Sequence, residues 1–217
     1  HLRLRRQRKM CIRDSRYTDL LLSIIPFEKE LYSNDRVPVH YVGHPIADEL
    51  SALAPDLGEE FRSSLGISQQ EKLIGIFPGS RRAEVEGLSI SFFNLLAQMK
   101  LDPDRHRIVV SALREDFREL IEDAAASHGL KIELIGGDCR PLMKACDLAL
   151  VASGTASLEL AWFEKPMLVF YKVSGLGYRL FKNFFSVTPW FTLPNILGSA
   201  ANEGCLLYTS PSPRDLS

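Results

Sequence analysis

From residue 17 onward, short β-rich runs alternate with stretches of helical periodicity, an order that restricts the chain to an α/β fold built on a parallel sheet. Parallel neighbours cannot be joined by a tight hairpin. Each needs a crossover connection, and crossovers of the usual hand lay helices against the sheet. The expected fold class is a Rossmann-like parallel sheet with helices on both faces.

Residues 20–25 read as a buried strand, 27–33 as a helix and 39–42 as a second short strand that closes in Gly43-His44-Pro45. Pro45 and Pro55 break the pattern on either side of 46–55, which reads as a connection holding a domain boundary. A second unit follows. It opens with a helix over 59–65 and a strand over 73–77, then a long helix on which Val85, Leu88, Phe92, Leu95, Leu96 and Met99 share one face. Further strands are expected at 108–112, 132–135, 148–152 and 167–171. Phe117, Leu120, Ile121 and Ala124 mark a helix between the first two of these.

A length of 217 residues accommodates one globular domain, or one domain and part of another. The longest apolar runs, at 20–25 and 148–152, fall far short of the roughly 20 residues of a membrane-spanning helix. A soluble or peripheral chain is expected. Cys11, Cys139, Cys146 and Cys205 form neither a disulfide framework nor a CxxC pair, so a reducing cytoplasm is the simpler reading. The five histidines show no metal-ligand spacing, and there is no GxxxxGK[ST] loop, HExxH helix or GxSxG elbow. No metal and no cofactor is expected.

The formal charge of −1 is unevenly spread, because residues 1–16 carry seven of the 26 Lys and Arg and one of the 27 acids. A basic arm can attract nucleic acid or an anionic membrane. At a chain end an unstructured tail is the commoner meaning, and no nucleic-acid partner is expected. Met10-Cys11-Ile12-Arg13-Asp14-Ser15 and the stretch from Cys205 to Ser217 continue no neighbouring pattern. Residues 1–16 and 200–217 are expected to be foreign or disordered.

Three turns carry chemistry. Pro78-Gly79-Ser80-Arg81 follows a strand and opens a helix, at the sheet edge where α/β proteins bind ligands. Gly79 permits close backbone approach, Ser80 is placed to cap the helix, and Arg81 offers a donor fork suited to phosphate. The plainer alternative is a Pro-Gly turn with a capping serine and a solvated arginine. Ser153-Gly154-Thr155-Ala156-Ser157-Leu158-Glu159 repeats the arrangement, with small residues that let a diphosphate approach a helix start. Glu159 lies about one turn in, where it either accepts from a ribose diol or only complements the helix dipole. Ile135-Gly136-Gly137 ends a third strand, where backbone groups could read a flat base or simply turn.

Pro26-Phe27-Glu28-Lys29, the Val37 to Pro45 segment ending Val42-Gly43-His44-Pro45, Pro78-Gly79-Ser80-Arg81, the Ser153 to Glu159 segment and Leu193-Pro194-Asn195 resemble the lipid-A-disaccharide synthases in order and approximate spacing. The resemblance spans residues 17 to about 199. It implies a GT-B fold in which residues 17–49 end the acceptor-side domain and its linker, and 50–199 form most of the donor-side, UDP-sugar-binding domain. It also implies an inverting glycosyltransferase of a Gram-negative bacterium, cytoplasmic and peripheral on the inner membrane. Its substrates would be UDP-2,3-diacylglucosamine and 2,3-diacylglucosamine 1-phosphate, with a homodimer open to it.

By position, Gly79, Ser80, Arg81, Ser153, Gly154 and Thr155 would face the donor diphosphate. Ile135 and Gly136 would lie at the base, and Glu159 at the ribose. Arg81 would stabilise the leaving group, while the general base would lie outside this chain, so that the chain alone is expected to bind UDP weakly and turn nothing over. His44 falls at the interdomain hinge or cleft, with a purely structural role at least as well supported. Tyr178, Leu180, Phe181, Phe184, Phe185, Trp190 and Phe191 read as a membrane-facing patch or, by preference, as core and interface. The rival readings are another GT-B UDP-N-acetylglucosamine transferase, a UDP-N-acetylglucosamine 2-epimerase, or a noncatalytic nucleotide-binding module.

Overall fold

The computed structural model describes residues 18–24 and 37–170. The expected helix over 27–33, the segments Pro26-Phe27-Glu28-Lys29 and Leu193-Pro194-Asn195, the aromatic run from Tyr178 to Phe191 and both terminal segments lie outside them. The described residues divide into two units, one up to Ala52 and one from Leu53.

In the first unit, β1 (Leu21–Ser23) pairs in parallel with β2 (Val39–Tyr41). The expected buried strand is shorter and half exposed: Ser23 is buried, whereas Leu20 and Leu22 are open. Alternation places Leu22 opposite Leu21 and Ser23, on a face with no covering layer among the described residues. Residues expected to form a plain connection contain α1 (Ile46–Ser51). Pro45 is its N-cap residue, at φ −61°, where a missing N–H removes no intrahelical bond. The Ile46 N–H donates to His44 Nδ1 at 3.2 Å, so His44 satisfies one of the free donors of this helix start.

The second unit runs α2 (Leu57–Ser64), β3 (Lys72–Phe77), α3 (Arg82–Met99), β4 (His106–Ser111), a 3-10 turn (Glu115–Phe117) leading into α4 (Arg118–Ala126), and β5 (Glu133–Ile135). It continues through α5 (Arg140–Ala145), β6 (Leu148–Ala152), α6 (Ala156–Trp162) and β7 (Met167–Phe170). All five strands are parallel, in the order β5-β4-β3-β6-β7. The chain lays strands outward from β3 on one side, then returns to its other side. Sequence order therefore reverses between β3 and β6.

Period-two alternation along the buried strands sorts their side chains into two cores. Ile74, Ile76, Ile108, Val110 and Leu150 face α3 and α4, meeting Val85, Leu88, Phe92, Leu96 and Ile121. On the opposite face, Leu73, Phe77, Val109, Ala149 and Val151 meet Leu142 and Met143 of α5 and Leu160 of α6. The Rossmann-like layering expected from the alternation is thus present. Helix α2 reaches α5 through Gly58, whose missing side chain makes room: a Cβ there would lie 3.0 Å from the backbone C and O of Lys144. Among the described residues, no helix is long and apolar enough to cross a membrane.

Asp147, just before β6, clamps the amino ends of the central strands. Its carboxylate accepts from the Leu73 N–H at 2.8 Å, Arg62 Nη1 at 3.2 Å and Lys72 Nζ at 3.3 Å. The Asp147 N–H donates to the Leu73 carbonyl at 2.8 Å, closing a reciprocal pair. Arg62 also donates to the carbonyls of Ala145, Ser68 and Glu71. Burial raises the cost of charging Asp147, but the Leu73 N–H and the two cations outweigh it and hold the carboxyl below the usual aspartate range.

Two consequences are measurable. Gly58→Ala should lower stability by about 1–3 kcal/mol, because the added methyl meets backbone that cannot rotate away; chemical denaturation reads this directly. The depressed acid of Asp147 contributes stability in full above the ordinary aspartate range and loses it as pH falls through its folded value. Asp147→Asn should therefore lower the melting temperature at neutral pH, with the gap to the unmodified chain narrowing below about pH 4.

Candidate functional site

Because β3 and β6 are adjacent and parallel, the turns after them emerge side by side. Phe77 and Val151 stand opposite each other in the register, and each chain leaves the sheet within two residues. Neighbouring strands that feed helices on opposite faces open a crevice at their carboxyl ends. A cavity of about 340 Å³ occupies it, walled by Gly79, Ser80 and Arg81 on one side and Ser153, Gly154 and Thr155 on the other.

The two turns are held by different means. Gly79 has φ +108°, a conformation that side chains disfavour, and a Cβ there would fall 2.7 Å from Glu84 Oε2. Glycine is needed here for the turn itself. Gly154 has no such constraint: its φ is ordinary and nothing lies within 4 Å of where a Cβ would be. Its carbonyl instead accepts from the Ser157 hydroxyl at 2.6 Å, and Ser157 is fully buried. Ser153 is fixed through its N–H to the Phe170 carbonyl of β7, at 2.8 Å.

Ser80 does not cap α3, contrary to expectation. The chain stays extended through Arg81, which is the N-cap residue, and no side-chain hydrogen bond closes the helix start. The start of α6, with Thr155 as N-cap, likewise has no side-chain cap. Both helix beginnings therefore face the cavity without an internal acceptor at the cap. Arg81 is 82% exposed and pairs with Glu84 at 3.3 Å, so its guanidinium stands at the cavity rim rather than inside a wall.

Of the remaining expected residues, Ile135 and Gly136 do not line this cavity. Ile135 ends β5 and Gly136 follows it; β4 separates that strand from β3, and the Ile135 carbonyl is taken by the Ala112 N–H at 2.8 Å. Ser111, which ends β4, and Leu113 just beyond it line that side of the cavity. Glu159 also lies off the lining; it is 16% exposed and pairs with Arg140 at 3.6 Å. His44 belongs to the first unit.

Sequence reasoning missed Glu84, Cys139 and Met143, which complete the wall. Glu84 was legible as the acid in the first turn of α3, whereas Cys139 and Met143 arrive on α5, a helix with too little periodicity to announce itself. Neither described cysteine is an ionised nucleophile. Burial, aided by the charge of Glu159, pushes the Cys139 thiol up against the hydrogen bond with Ser111, and burial pushes Cys146 up to about 12.

Comparison with known proteins places this arrangement. The sequence profile of the family described as lipid-A-disaccharide synthetase matches residues 4–209, a span that reaches into both terminal segments set apart above. The lipid-A-disaccharide synthase of Pseudoalteromonas translucida is 37% identical over 185 residues, covering 83% of this chain and 47% of that protein. The corresponding protein of Cellvibrio japonicus is 35% identical over 214 residues, covering 97% and 54%. The chain thus spans about half the length of the relatives it matches. Among solved structures, UDP-GlcNAc 2-epimerase from Neisseria meningitidis, bound to UDP-GlcNAc, superposes with a TM-score of 0.56 at 18% identity, covering 74% of this chain and 46% of that one, which supports the fold. A Rossmann-like sheet, paired turns at its switch point and a profile match over nearly the whole sequence agree: this chain belongs to the lipid-A-disaccharide synthase family.

Proposed function

We propose that this chain forms the UDP-sugar-binding part of a lipid-A-disaccharide synthase, a hexosyltransferase that moves 2,3-diacylglucosamine from UDP to 2,3-diacylglucosamine 1-phosphate. The observation that carries the reading is the pair of adjacent turns after β3 and β6, which close on one cavity with two helix starts and Arg81 at its rim. Backbone donors at helix starts and a guanidinium suit a diphosphate.

In this reading the acceptor hydroxyl oxygen attacks the anomeric carbon as its bond to the β-phosphate oxygen breaks. The configuration inverts in a single displacement, and UDP leaves with the electron pair. Negative charge grows on the diphosphate, so Arg81 and the two helix starts lower the barrier by being better matched to the departing group than to the intact donor. For this, Arg81 exchanges Glu84 for phosphate oxygens. No metal enters the scheme. The proton of the acceptor hydroxyl passes to a base outside this chain, and the acyl chains of both substrates place the enzyme at the cytoplasmic surface of the inner membrane.

Titration of the chain with UDP by calorimetry tests the site. Arg81→Ala should weaken binding about tenfold or more, the scale of a lost charge-assisted hydrogen bond. Gly154→Ala should leave the melting temperature unchanged or slightly higher and still weaken UDP, since only a ligand would meet the new methyl. Affinity unchanged in both variants would move the nucleotide away from this cavity. Disaccharide formation by the chain alone would overturn the placement of the base.

A further inference from the structure

We propose that Arg140 is a positioning residue of the nucleotide site, one that fixes the Glu159 carboxylate so that it accepts hydrogen bonds from the ribose diol. This inference rests on the UDP-site reading above and assigns a second arginine to it, one that acts on the sugar rather than on the diphosphate.

The geometry starts from two neighbouring helix beginnings. Cys139 and Thr155 are the N-cap residues of α5 and α6, and both line the cavity. Arg140 is the first residue of α5, and Glu159 lies four residues beyond Thr155, about 6 Å further along α6 at the usual helical rise. Their side chains meet behind the cavity wall, with Arg140 Nε 3.6 Å from Glu159 Oε2. At 16% exposure, Glu159 is largely withdrawn from water, and a withdrawn carboxylate needs a counter-charge to stay ionised and in one orientation.

The charge of Glu159 reaches the cavity wall, where it helps to keep the Cys139 thiol protonated. The diphosphate grip lies at the helix starts and the acid one turn deeper, which is the order in which a nucleoside diphosphate presents phosphate and ribose. A lysine in place of Arg140 would supply the charge without the planar fork that sets direction.

Calorimetric titration with UDP and 2′-deoxy-UDP, alongside melting temperatures, separates positioning from a general charge effect. The unmodified chain should prefer UDP by about tenfold, the scale of a hydrogen bond to a charged group. Glu159→Ala and Arg140→Ala should each reduce that preference to about twofold or less, by weakening UDP more than 2′-deoxy-UDP, which keeps only the 3′-hydroxyl. Arg140→Lys should restore part of it, and the double variant should resemble Glu159→Ala alone. Should Arg140→Ala not fold, Arg140→Gln is read in the same way.

An Arg140 variant that keeps the preference overturns the proposal, as does one that weakens both nucleotides equally, since the latter marks a plain attraction to the diphosphate. Equal binding of the two nucleotides by the unmodified chain sinks this inference and leaves the UDP site standing. Binding of neither sinks both.

Discussion

Everything in the second unit depends on β3 being sandwiched between two parallel partners. Its backbone groups are taken up on both edges, by β4 and β6, and its side chains from Leu73 to Phe77 are divided between two cores. A strand so placed has no tolerance for slippage, because a shift of one residue would exchange the cores. Asp147 reinforces the register at the amino end by bonding Leu73 through both its carboxylate and its N–H. With the start of β6 pinned to the start of β3, their far ends must also be level, and the two turns form one opening rather than two.

That opening is not simply positive. Glu84 lies in its wall and Glu159 just behind it, which is an unfavourable background for a diphosphate. Each acid has an arginine beside it, Arg81 for Glu84 and Arg140 for Glu159, so the local charges balance without a ligand. The two pairs differ in mobility. Arg81 is open to solvent and can leave Glu84 at little cost, whereas the Arg140 pair is substantially withdrawn from water and favours staying intact.

The strands and both glycine turns were legible in the sequence because buried parallel strands are short continuous apolar runs, and because Gly79 and Gly154 each follow one directly. Two short helices escaped. Helix α1 was hidden by Pro45, read as a breaker although it serves as the cap, and α5 by six residues that span too few turns to show a face. The motif order did not reveal strand order either. Ile135-Gly136 looks like a third turn of the same kind, yet it follows the edge strand, with β4 between it and the two turns that share the cavity. Nor could the sequence show that Ser80 would fall one residue outside the cap, since cap position depends on where the backbone turns helical, here after Arg81. The Arg140–Glu159 pair joins two helices through side-chain directions that no local pattern encodes.

The open space around Gly154 separates what the fold requires from what a ligand requires. Most glycines persist because the backbone demands them, as Gly79 does with its positive φ. Gly154 has no structural claim of that kind, so a search for hardier variants guided by melting temperature would accept alanine there and count it as progress. The loss would surface only when the cavity was asked to hold something. At this position thermal robustness and occupancy pull in opposite directions, and a screen that measures one alone is blind to the other.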